Sequence, residues 1–81
     1  MNFQDEMDKL FNHAQDKFAE RISALLRSIN DKEKSFEALT NMENEPSIDI
    51  LKRINKIAIA KEDYETCEAL KLYSKNRGIK L

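Results

Sequence analysis

One glycine and one proline in 81 residues constrain this chain more than any other feature. Tight strand hairpins depend on glycine or on Asn-Gly and Asp-Gly pairs to reach positive φ, and none of those pairs occurs here. Leu, Ala, Glu and Lys, all good helix formers, fill the chain instead. The expected fold is all-α: a small helical bundle with a long N-terminal amphipathic helix and a C-terminal antiparallel helical hairpin. A chain of this length makes one domain, residues 1–81, with a core small enough that stability is marginal.

Within residues 1–41 the apolar pattern predicts either one helix or a kinked pair. Asn2 is positioned to cap the first turn, where Asp5, Glu6 and Asp8 favour the positive end of the helix dipole. Phe11, Phe18 and Leu25 recur every seven residues, and Ile22 and Ile29 form a second row at the same period. Phe3, Met7, Leu10 and Ala14 widen this seam early on. Gln15 and Lys32 interrupt it, so the strict heptad covers two to three repeats. Two readings follow: the seam is a core face, or it is the contact surface for a dimer or partner helix, with Phe11, Phe18, Ile22 and Leu25 as its residues. Asn30-Asp31-Lys32-Glu33 has capping-box spacing, which favours a break near Asn30 and a new helix from Asp31 to about Asn41. An unbroken helix would instead span roughly 57 Å at 1.5 Å per residue.

Residues 40–47 read as a loop, since Pro46 disfavours helix at Glu45. Ser47 is then an N-cap for a helix from Ile48 to about Lys61, with Ile50, Leu51, Ile54, Ile57 and Ala58 on one face. Asp63 caps the last helix, which carries Tyr64, Cys67, Leu70 and Tyr73 as its apolar row. Gly78 supplies a left-handed stop, and Lys71, Lys75 and Arg77 match the negative end of the dipole. Residues 48–77 thus form a helical hairpin, with 78–81 as a tail.

Little in the chain points to catalysis. An activated nucleophile needs a positioned base, and the only histidine, His13, lies some fifty residues from the lone Cys67. Structural zinc needs four ligands of a kind supplied only by those two residues. The single glycine is terminal, so no glycine-rich phosphate loop exists. The expectation is no catalytic residue, no metal and no cofactor. A lone cysteine fits a reducing compartment. The first residues lack the basic and apolar regions of a secretory signal, and no apolar run approaches the ~20 residues of a membrane span. A soluble, cytoplasmic protein is therefore expected. Its abundant Lys, Asn, Ile and Glu suit an AT-rich genome such as that of a bacteriophage.

Charge is unevenly divided: residues 1–46 carry ten acids and six bases, residues 47–81 five acids and eight bases. The split either matches the helix dipoles or favours head-to-tail or antiparallel association. It also offers an alternative to a protein partner, phosphate contact by Lys52, Arg53, Lys56, Lys71, Lys75 and Arg77.

The segment 48–73, and within it IAIAKEDYETCEALKLY, resembles the UVR motif, the helical hairpin of UvrB and UvrC. Asp63-Tyr64-Glu65 stands at that motif's acidic-aromatic-acidic turn, Cys67 at its first small position and Leu70-Lys71 at its Leu-basic pair. Glu68 occupies the second small position and Leu72 the place of an acid, so the pattern is departed from at two points. The resemblance implies self-association or docking onto a repair protein, with Tyr64, Cys67 and Leu70 closing the hairpin and Glu62 and Glu65 at the partner surface. The combined expectation is a small non-enzymatic adaptor or regulator that binds a protein partner or a second copy. The alternative is a nucleic-acid-associated accessory factor in repair or recombination.

If the hairpin is the organising unit, Leu70→Ala leaves a core cavity and costs ~2–5 kcal/mol. Asp63→Ala removes only a cap and costs ~1 kcal/mol. Urea denaturation measures both, and a neutral Leu70→Ala contradicts the hairpin.

Overall fold

The computed structural model describes residues 3–81. Four helices account for most of them: α1 (Phe3–Ile29), α2 (Lys32–Thr40), α3 (Ile48–Ala60) and α4 (Tyr64–Arg77). There is no strand among the described residues, so the protein is all-α. The Asn2 cap expected for α1 lies outside the described residues.

With so little glycine, the helix ends are made by other means. Asn30, Glu62 and Gly78 are the residues at positive φ among those described, and each follows the end of a helix. After α3, the Asp63 N–H donates to the Ala58 carbonyl (2.8 Å) and the Glu62 N–H to that of Ile59 (3.1 Å). After α4, the Ile79 N–H donates to Ser74 (2.8 Å) and the Gly78 N–H to Lys75 (3.3 Å). Both are Schellman closures, which require a left-handed residue after the last turn. Glycine occupies that place at Gly78, whereas a glutamate occupies it at Glu62 and bears the Cβ clash.

The N-termini are closed by short polar side chains. Asp31 accepts from the Lys34 N–H (2.9 Å) and Ser47 from the Ile50 N–H (3.2 Å). Asp63, only 7% exposed, accepts from both the backbone N–H and the hydroxyl of Thr66. Glu65, in the first turn of α4, reaches across to accept the Lys32 N–H at 2.8 Å. The start of α2 is thus satisfied from two helices.

The core joins Ala19, Ile22 and Leu26 of α1 to Leu39 of α2, Ile50, Leu51 and Ile54 of α3, and Ala69, Leu70 and Tyr73 of α4. Helix α3 packs most broadly on α1, and α4 on α2; the sequence-adjacent pairs α3–α4 and α1–α2 share less surface. Helix α1 runs in the same sense as α3, because Arg53 meets Asp16 while Ile57 lies beside Glu20 and Lys61 beside Arg27. Ser23, Ser35 and Ser74 are buried on α1, α2 and α4, where their small size admits close approach between helices. Their hydroxyls have no hydrogen-bond partner.

Two expectations about side-chain placement need correction. Tyr64 is 69% exposed and takes no part in closing the hairpin. Cys67 is only half-buried. The inward row of α4 is Thr66, Ala69, Leu70, Tyr73 and Ser74, because α4 turns its face towards α2 as well as α3.

Replacing the strained glutamate by glycine, Glu62→Gly, is expected to raise stability by about 0.5–1 kcal/mol. Gly78→Ala, where a Cβ meets nothing within 4 Å, is expected to lower it by about 1 kcal/mol through backbone conformation alone. Matched urea titrations of the two variants read both signs.

Candidate interaction face

Helix α1 carries more apolar surface than the bundle covers. Its buried residues are Ala19, Ile22, Ser23 and Leu26. At about 100° per residue, the centre of the arc holding Phe3, Met7, Leu10, Phe11, Ala14, Phe18 and Leu25 lies roughly 120° from that buried row. All seven are exposed, Phe11 to 62%, Phe18 to 46% and Leu25 to 65%. Residues 3–14 are exposed, so the first half of α1 projects from the bundle, with Asn12 bonded to Arg53 of α3.

The stripe runs into an apolar cleft of about 230 Å³ between α1 and α2. Ile22, Leu25, Leu26 and Ile29 form one wall, and Ala38, Leu39 and Met42 the other. Of the four seam residues, Phe11, Phe18 and Leu25 therefore stay together on the surface. Ile22 turns inward to 7% exposure and shows only at the cleft. The opposite wall at Ala38 and Met42 was not legible in the chain, since it depends on how α2 folds back. The one hint was that Ile29 continues the apolar row to the end of α1.

The acidic candidates at the α3–α4 turn have structural employment. Glu62 is exposed, but it is the left-handed residue of the turn. Glu65 is occupied in capping α2.

The basic candidates are dispersed. The Arg53 guanidinium donates to Asp16 Oδ1 (2.8 Å), Gln15 Oε1 (2.6 Å), Asn12 Oδ1 (3.3 Å) and the Asp49 carbonyl (3.4 Å). It fastens α3 to α1. Arg77 lies 4.8 Å over the Tyr73 ring and pairs with Glu45, tying α4 to the α2–α3 loop. Lys71 pairs with Glu68 at 3.3 Å. Lys52 and Lys56 share their cleft with the carboxylates of Asp16 and Asp49, which weaken its positive field. Lys75 is exposed and lines a separate cleft with Lys71 and Asn55.

The lone cysteine, Cys67, lies on α4, away from this face. Burial pushes the Cys67 thiol up from its ordinary value, and the Asp63 carboxylate adds to the shift. The residue therefore stays a thiol near neutral pH, its unreactive form. Among the described residues no cluster of three His, Cys, Asp or Glu side chains stands ready for a metal ion. No helix among them is long and apolar enough to cross a membrane.

No protein-family model, curated protein or solved structure matches the chain.

Arg53→Ala is expected to cost about 1–2 kcal/mol, discounted for partial exposure, because several charge-assisted bonds are lost together. Arg53→Lys recovers little of this, since a point ammonium cannot span three side-chain acceptors. Denaturation midpoints of the two variants give the test.

Proposed function

We propose that the protein is a non-catalytic interaction module whose working surface is the exposed apolar stripe of α1. The observation that carries this reading is the stripe itself, three aromatic rings and several aliphatic side chains on a helix whose buried face lies elsewhere. Contiguous apolar surface of that kind marks a site for another macromolecule, and an amphipathic helix is a common form of it. Area supports the same conclusion. A compact monomer of 9.5 kDa exposes about 5,000 Å², and this chain exposes 5976 Å². The surplus of about 900 Å² is close to one partner's share of a standard interface, roughly 800 Å².

An accessory role on nucleic acid is the lesser reading. With Arg53 and Arg77 engaged within the fold, it rests on Lys52, Lys56, Lys71 and Lys75.

Because the stripe is solvent-exposed, Phe11→Glu with Leu25→Glu is expected to leave the helicity of the folded chain nearly unchanged while abolishing association. Circular dichroism and sedimentation velocity of the purified chain, with pull-down from a host lysate, check this. A wild-type protein that is strictly monomeric and captures nothing would overturn the proposal.

A further inference from the structure

The stripe is complementary to itself when a second copy is laid on it antiparallel, and we infer that α1 mediates a two-fold homodimer. The inference rests on the reading of the stripe as a working surface and specifies its occupant.

Three features set the register. Ala14 is the one small residue between Phe11 and Phe18, so two helices approach most closely there. A two-fold axis beside Ala14 sets Phe11 of each copy against Phe18 of the other, filling the space on either side. In antiparallel pairs like flanks face each other, and the same axis brings Glu6 level with Arg21 of the second copy, on the same side of the stripe. The pair occurs twice, once at each end, as a two-fold axis requires. Finally, the first turn of the second copy, with Phe3, arrives level with Leu25 at the mouth of the α1–α2 cleft. That cleft, about 230 Å³, has ample room for a phenyl ring, since a cavity near 150 Å³ holds benzene.

Antiparallel pairing also follows from the lopsided shape of the molecule. The core packs on the second half of α1, and residues 3–14 project from the bundle, with Asn12 bonded to Arg53. Laid antiparallel, each projecting half passes beside the other copy's bundle, and the two bundles lie at opposite ends. A parallel pair crowds both bundles at one end.

Charge reversal tests the register. Glu6→Arg and Arg21→Glu are each expected to weaken the dimer roughly tenfold, because the altered pair occurs twice. The double variant Glu6→Arg/Arg21→Glu is expected to recover most of the loss. Sedimentation equilibrium of the full-length protein gives the constants, and circular dichroism verifies that each variant is folded. In a Cys67→Ser background, mixing Glu6→Cys with Arg21→Cys under mild oxidation is expected to yield the mixed disulfide in preference to either homodisulfide. Preferential linkage between two copies of Glu6→Cys, or additive losses in the double variant, overturns the antiparallel arrangement. A chain that stays monomeric but captures a different protein, with capture lost on Phe11→Glu, overturns the homodimer and leaves the interaction module standing. A chain that does neither overturns both.

Discussion

A helix of 27 residues cannot be covered along its length by three helices of nine to fourteen. At 1.5 Å per residue α1 is about 40 Å long, whereas the others reach roughly 14–21 Å. Most of the architecture follows from this mismatch. The core forms where all four helices overlap, from Ala19 to Leu26 on α1, and the molecule is drawn out to 45 Å along one axis and 25 and 21 Å across. What the short helices leave uncovered is an apolar stripe, which becomes the surface most available to another chain. A core this small also leaves little stability in reserve, which gives the helix ends and the interhelical ties more weight than in a larger domain.

Those ends are managed almost without glycine. Acidic side chains do much of the work: Asp31 and Asp63 cap their own helices, and Glu65 caps a neighbour's. Glu62 takes a left-handed position. This accounts for the acid-rich turn Glu62-Asp63-Glu65 without any external partner. The arginines show a parallel economy. Arg53 and Arg77 hold α3 to α1 and α4 to the preceding loop, and the planar guanidinium suits both tasks because it serves several acceptors at once.

Legibility in the sequence varied with the range of the interaction. Ser47 and Asp63 as caps and Gly78 as a stop are local features, decided within three or four residues, and could be read directly. The inward faces were harder. On α3 the row Ile50, Leu51, Ile54 and Ala58 was evident because that helix has one strongly apolar side. On α4 the row was misread through Tyr64, because Thr66, Ala69 and Ser74 are small or polar and give no hydrophobic signal. They are buried only because α2 presses against them. On α1 the most regular repeat, Phe11–Phe18–Leu25, is not the buried one. Core packing selected the smaller side chains Ala19 and Ser23, which let α3 approach.

Sequence by itself determined that this chain is helical and where several of its helices start and stop, since propensity, capping and the want of glycine act over one turn. Tertiary structure alone decided which of two apolar arcs on α1 faces inward, and that Arg53 and Glu65 serve the fold. It also formed the cleft between α1 and α2. The reason is that burial depends on which helix lies opposite, and that pairing is fixed by contacts between residues thirty to forty positions apart.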